Sequence, residues 1–219
     1  RRAREVWRQR GPLGLLAATL RTFIIDHRVF LLLERQHAEW PAHEFPPALD
    51  QFEEQFINDN EQADRAALWR DDFRPLFPRA RQALDAGAVA FCVYSSRKPV
   101  HPRLAGNNSS GTHILDGLGF QVPFEGGIAW TGVAWTSPEF RKLGLQTYGI
   151  HRRIEYLLDL GFSCSRAAME RNNRASIRAN AHFVPRLYAV GTYWRVLGRR
   201  RWSERPPTSA EFALLGDNR

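Results

Sequence analysis

The spacing of apolar residues changes several times along the chain, and each change marks an element. Leu13, Leu16, Leu20, Phe23 and Ile24 recur at helical spacing, which predicts an amphipathic helix within residues 4–24, broken or started at Gly11-Pro12. Val29 to Leu33 is a short apolar run bounded by charges, the pattern of a buried strand. A Pro-rich turn from Pro41 to Pro47 follows. Leu49, Phe52, Phe56 and Ile57 then fall at helical spacing and predict a helix. Asn58-Asp59-Asn60 offers N-caps for another through Ala63, Ala67 and Leu68. Pro75 suits the first turn of a third, which Gly87 stops.

Ala88–Tyr94 and Val100–Ala105 read as paired strands about a turn. Residues 106–126 hold five Gly, two Asn and two Ser, the composition of a long loop, and long loops in compact domains often carry function. Gly127–Trp135 is a strand. The next helix buries Leu145, Ile150, Ile154, Leu157 and Leu158, faces Arg152, Arg153, Glu155 and Asp159 outward, and stops at Gly161. Ser163–Glu170 reads as a strand, Asn173–Ala181 as a helix, and Leu187–Leu197 as a closing hairpin about Gly191. The tail from Arg199 reads as peripheral. This order predicts one domain of α/β (α+β) class, a mixed sheet flanked by helices.

Composition narrows the function classes. With 43% hydrophobic and 25% charged residues the chain is an ordinary globular sequence rather than a disordered one. No apolar run approaches the ~20 residues needed to span a bilayer. The apolar stretch Leu13–Ile25 is interrupted by Arg21 and followed by Asp26-His27-Arg28, which is not a signal-peptide pattern. A cytoplasmic location is expected. The sequence begins at Arg1 rather than Met, so a few residues are expected ahead of it. Cys92 and Cys164 both fall in strand-like stretches, as two reduced core thiols or one buried disulfide. No Cys/His spacing suits zinc, and no metal is expected.

The net charge of +8 is unevenly placed. Residues 1–35 hold eight Arg against three acids, residues 36–87 five Arg against eleven acids, and the basic excess returns at 141–178 and at Arg199-Arg200-Arg201. Nucleic acid is not favoured, because no recognition motif or regular basic stripe accompanies the charge. The N-terminal helix is either packed on the domain or laid on an anionic membrane surface.

One stretch concentrates the candidate chemistry. A strand ending at Trp135 passes through Thr136-Ser137-Pro138-Glu139-Phe140-Arg141-Lys142-Leu143-Gly144 into a helix. A turn that opens a helix presents unpaired backbone N–H groups at the positive end of the helix dipole, a ready site for phosphate. Arg141 and Lys142 add positive charge there.

Pro138-Glu139-Phe140-Arg141-Lys142-Leu143-Gly144 resembles the acyl-CoA-binding signature of the GCN5-related N-acetyltransferase (GNAT) superfamily, Arg/Gln-x-x-Gly-x-Gly/Ala after Pro-Glu-aromatic. Asn173-Arg174-Ala175-Ser176 is similar to the family's second motif, about thirty residues on, as in the family. The resemblance covers roughly residues 29–197. It implies a mostly antiparallel mixed sheet splayed between the fourth and fifth strands, with a helical appendage at 1–28, the acyltransferase domain at 29–198 and a basic tail at 199–219.

It also implies an acyl-CoA-dependent N-acyltransferase, acetyl-CoA being the expected donor, in which the amine attacks the thioester directly. Trp135 and Thr136 would close the fourth strand against the pantetheine arm. Arg141, Lys142, Leu143, Gly144, Leu145, Gln146 and Thr147 would hold the pyrophosphate through their backbone amides. Asn173 and Ser176 would lie along the pantetheine.

The chain departs from the pattern in three places. Gln146 stands for the last Gly/Ala of the signature. Asn180 stands where many members carry a Tyr as general acid. Phe183-Val184-Pro185 replaces Gly-Phe after the second helix. The fourth strand carries no acid, so Glu170, Glu125 and His113 are the candidate catalytic bases, with His101 also in reach; Glu139 is read as structural. The partner is an amine acceptor, small molecule or protein, and a homodimer is allowed. Two other classes stay open: a non-catalytic acyl-CoA-binding domain, and a long-chain transferase drawing on acyl-CoA or acyl carrier protein.

Overall fold

The computed structural model describes residues 25–39, 45–108, 114–115, 117–119 and 121–215. The helix expected within 4–24 lies outside them. The elements are β1 (Ile25–Gln36), β2 (Glu53–Ile57), α1 (Asn60–Ala67), α2 (Ala80–Asp85), β3 (Ala88–Ser95), β4 (Lys98–Gly106), β5 (Ile128–Ala134), α3 (Leu145–Asp159), β6 (Cys164–Glu170), α4 (Arg174–Ala181), β7 (Arg186–Val196), β8 (Arg199–Arg205) and α5 (Ser209–Ala213). The strands form one sheet in the order β2-β3-β4-β5-β6-β1-β7-β8. Only β5 and β6, joined across α3, are parallel. This is the mixed, mostly antiparallel sheet the sequence predicts.

β1 is longer than the apolar run that announces it. It pairs antiparallel with β6 on one side and β7 on the other. The first strand therefore joins the two halves of the sheet. Its residues alternate faces: Phe30 and Leu32 pack with Trp130 and Tyr193, while Leu31 and Leu33 pack with Met169 and Ile177 of α4.

Five sequence expectations are corrected. The helix expected over Leu49–Ile57 is instead β2, paired to β3 through Phe56↔Phe91 and Ile57↔Ala90. Short apolar runs satisfy both periods, and pairing to a buried strand decides the outcome here. Ile57 enters the cluster under α1 and α2, and Phe56 faces the other way, stacked on Tyr156 at 4.3 Å. The hairpin expected about Gly191 is one uninterrupted strand, β7. The chain turns at Leu197-Gly198, and the tail supplies β8, paired from Val196↔Arg199 to Val190↔Arg205. Arg153, expected on the solvent side of α3, is only 3% exposed, whereas Leu158, expected in the stripe, is exposed.

Each sheet face has its own cover. α1 and α2 pack on Ala90, Cys92, Tyr94 and Leu104, and α3 and α4 pack on the opposite face. Cys92 and Cys164 are both buried free thiols. Asp59 caps α1 by accepting from the Gln62 N–H at 2.7 Å. The acids of this region are largely self-neutralised: Asp64 and Asp72 hold Arg74, Glu53 pairs with Arg70, and Glu61 with Arg65.

The last helix is fastened by a buried carboxylate. Glu211 accepts from the Thr208 N–H at 2.9 Å and takes both Arg205 Nη atoms, at 2.8 and 2.5 Å. The Arg205 hydrogen bonds, and those from Thr208, hold Glu211 down to about 2. A depressed carboxylate stabilises above its unfolded value and loses that contribution as pH falls through the folded one. Arg205 is half-exposed, so water screens the pair and about 1 kcal/mol is the reasonable scale. Glu211→Gln is expected to lower the thermal midpoint at pH 7 by roughly 2–4 °C. The gap from the parent should close as the pH falls from about 5 to about 2.

Candidate functional site

The parallel pair is where the sheet opens. β5 and β6 are paired only at Ile128↔Cys164, Ala129↔Ser165 and Trp130↔Arg166. Among the described residues no strand pairs with this side of β5 beyond that rung. The Thr131 hydroxyl donates to the Arg166 carbonyl at 3.1 Å and bridges the base of the fork. The fork leaves an unpaired β5 edge, which an extended ligand can join as an added strand. Trp135 and Thr136 continue that strand. The Trp135 N–H donates to Pro102 on the β4 side, and the Thr136 hydroxyl lies 2.8 Å from His101 Nδ1.

The turn that follows builds a cradle of amides. Phe140 and Arg141 close a short turn on Ser137 and Pro138. The backbone N–H groups of Lys142, Leu143, Gly144, Leu145, Gln146 and Thr147 then make no hydrogen bond among the described residues; the first helical bond of α3 is from Tyr148 to Gly144. Lys142 and Gly144 both adopt left-handed conformations, with φ of 70° and 79°. Gly144 takes this backbone without penalty, whereas Lys142 does so at a cost of ~1 kcal/mol or more, a strain that often marks a ligand-binding loop. Ala48 N–H donates to the Leu143 carbonyl at 2.8 Å and fixes the turn from outside. Leu145, 1% exposed, anchors the first turn of α3 in the core with Phe91, Val93 and Val100. Arg141 Nε reaches back to the Thr136 carbonyl at 3.4 Å. Six adjacent donors at the head of a 15-residue helix suit a diphosphate in number, charge and dipole direction.

Across the fork, Asn173 caps α4: its side-chain oxygen accepts from the Ser176 N–H at 3.1 Å. Asn180, the departure from the family pattern, is fully engaged. It accepts from Arg35 Nη2 at 2.9 Å and donates to the Ser176 carbonyl at 2.8 Å. An amide so held does not supply a proton.

The candidate bases are scattered. Glu170 ends β6 at the open end of the fork, partly exposed, 3.6 Å from Arg28 Nη1. Glu125 lies in the turn before β5, at the closed end, and is not brought to the opening. His113 lies outside the described residues. His101 is fully buried under α3; burial first, then repulsion from Arg103 and Arg153, holds it well below its ordinary value. Glu139 is pulled down by a Ser137 hydrogen bond and its own backbone, in keeping with a structural role. Leu115 packs against both the α1/α2 cluster and the Trp130 cluster.

Sequence reasoning missed the side chains beneath α3. His101 and Arg103 alternate with Pro102 and Leu104, and Arg153 sits four residues after Gly149 in the apolar stripe of α3. Those periods carried the signal.

No family model matches the sequence, and no curated protein is similar to it in sequence. Solved structures are similar in fold. A structural-genomics target protein from Drosophila matches with a TM-score of 0.52 at 12% identity, over 88% of this chain and 58% of its own. A tandem GNAT protein from the clavulanic acid biosynthesis pathway, solved without AcCoA, matches with a TM-score of 0.51 at 14% identity, over 91% of this chain and 60% of its own. The chain thus spans about three fifths of the length of either. It has the GCN5-related N-acetyltransferase fold. Among the described residues no helix is long and apolar enough to cross a membrane.

Proposed function

We propose that this chain, on its GNAT fold, is an acyl-CoA-dependent N-acyltransferase. The observation that carries the reading is the run of six unpartnered amides, Lys142–Thr147, set beside a forked parallel strand pair. Acyl-CoA is the substrate that supplies an activated thioester. The amides from Lys142 to Thr147, with Arg141 and Lys142 beside them, hold its pyrophosphate. The open edge of β5 from Thr131 to Trp135 orients the pantetheine arm, and the α4 head at Asn173 and Ser176 borders it. Positioning of this kind supplies much of the rate in a two-substrate transfer. Glu170 stands at the open end of the fork, where its carboxylate takes the proton released by an incoming amine.

The reading is tested by measuring acetyl-CoA binding and thiol release against a panel of amines. Saturable binding with amine-dependent thiol release supports it. Glu170→Gln is expected to lower kcat/KM for the amine by roughly 10²-fold while leaving KM for acetyl-CoA unchanged. Unaltered turnover would remove Glu170 from the chemistry. A second reading, a non-catalytic acyl-CoA-binding domain, is favoured by the locked Asn180 amide at the usual place of the proton donor. Binding without turnover on any amine would select it.

A further inference from the structure

At one end of the sheet β1 runs on past β6, and β7 and β8 run on beside it. Register fixes which side chains share a face there. Ile25 lies opposite Val196, and Val196 opposite Arg199; one row inward, His27 lies opposite Trp194, and Trp194 opposite Arg201. Directly paired residues point to the same face, and so do residues two apart on one strand. These six therefore form one patch, two rows deep, on the face that α4 covers further in. Val29 and Leu215 pack on the Leu31 cluster. Beyond them, among the described residues, the face is open: Ile25, Trp194 and Val196 are each between 40 and 48% exposed. His27 stacks on Trp194 at 3.9 Å.

The turn at the end of the patch departs further from expectation. β7 passes to β8 through Leu197-Gly198, both left-handed, with φ of 47° and 81°. A two-residue hairpin turn of this hand ordinarily holds Asn-Gly or Asp-Gly. Leu197 is bulky, and this backbone is unfavourable for it. It is also 75% exposed. In water an Asn there would serve the turn better on both counts. A leucine at an exposed, strained tip is accounted for by an apolar phase that the tip enters.

Charge selects which apolar phase. Arg199, Arg200 and Arg201 are all exposed on β8. Arginines on an edge strand hinder pairing with another chain, which speaks against a second copy joining β8. They do not account for Leu197 or Trp194. Residues 1–24, which lead into Ile25, carry six Arg against Glu5 alone. Like charge disfavours that segment as the cover of this patch, and segment and patch call for the same anionic partner. An apolar tip, an indole behind it and arginines at its flank together suit an anionic bilayer. We infer that the β7–β8 tip, with Ile25 and Trp194, seats the protein on an anionic phospholipid surface. Val196 and Leu197 enter the boundary between headgroups and acyl chains, Trp194 lies at the headgroup level, and Arg199, Arg200 and Arg201 meet lipid phosphates. This seat is independent of the acyl-transfer reading. Glu170 pairs with Phe30, five residues along β1 from Ile25, so the fork opens toward the same end of the sheet, about 17 Å behind the tip.

The test is partition of the full chain onto phosphatidylcholine vesicles with and without about a quarter of phosphatidylglycerol. Binding is expected on the anionic vesicles, weakened by salt, and not on phosphatidylcholine alone. Leu197→Asn is expected to raise the thermal midpoint by roughly 2–4 °C, because it suits the turn, and to weaken vesicle binding about 10-fold. Replacing Arg199, Arg200 and Arg201 together by Gln is expected to weaken it about 100-fold. A parent that ignores anionic vesicles overturns the proposal. So does undiminished binding by either variant. An unaffected Leu197→Asn would mean that the tip meets charge alone, as a nucleic acid offers. An unaffected arginine variant would mean that residues 1–24 hold the chain without the hairpin. If the arginine variant fails to fold, Leu197→Asn still decides.

Discussion

Replacing Gly144 by Trp is expected to weaken CoA binding at least 100-fold while leaving a folded protein. Gly144 holds φ of 79°, the left-handed region, and is the N-cap of α3 with no side-chain cap of its own. A Cβ there would meet Pro47 Cα at 3.6 Å, an ordinary contact, so the scaffold admits a side chain. The folded state loses ~1–2 kcal/mol to the left-handed backbone, roughly 2–8 °C in thermal midpoint. The ligand loses more, because an indole at the centre of the cradle covers the amides on either side. Hydrogen bonds to a charged group are worth about 1.5–3 kcal/mol each, so losing two costs a factor above ~10² in Kd. Calorimetric titration with CoA, beside a thermal melt, separates the two effects. Undiminished binding would mean that the pyrophosphate lies elsewhere.

Leu32→Ala is expected to lower stability by about 3 kcal/mol, the middle of the range for a fully buried leucine. Leu32 is 0% exposed and packs with Phe30, Trp130 and Tyr193 at the centre of β1. In the sheet order of the described strands, β1 lies between β6 and β7 and joins them. Loosening it separates the five strands on the β2–β6 side from the β7–β8 pair. The thermal midpoint should fall by roughly 6–12 °C. A shift below about 2 °C would mean that β1 is peripheral to the stability of the sheet.

The local and the non-local parts of this fold were legible to different degrees. The cradle was readable because it is local: a strand, a turn with Gly144 and the stripe Leu145, Ile150, Ile154, Leu157 specify it within thirty residues. The same holds for α1, whose Asp59 cap stands where the sequence put it. β2 was misread because Phe52, Phe56 and Ile57 fit a helix and a strand alike, and only β3 settles the choice. The place of β1 between β6 and β7 was not readable at all, since it depends on pairing between residues 128 to 171 positions apart. Arg153 was placed outside because charge on a helix ordinarily marks the wet face. Here the stripe admits it because Gly149 brings α3 down onto His101 and Arg103. For the proposed chemistry, the backbone geometry at the head of α3, on which the donor reading rests, was legible from a short motif. The proposed acceptor side rests on Glu170 at the open end of the fork, a placement that no short motif encodes.

The central claim is that the amides of Lys142–Thr147 hold a CoA pyrophosphate. Amide ¹H–¹⁵N spectra of the labelled protein, recorded during a CoA titration and repeated with pantetheine, address it directly. The account predicts that CoA moves the resonances of Lys142 to Thr147 most, saturably, and that pantetheine, lacking the pyrophosphate, leaves them nearly in place. Saturable CoA binding that leaves those six resonances unmoved would contradict it.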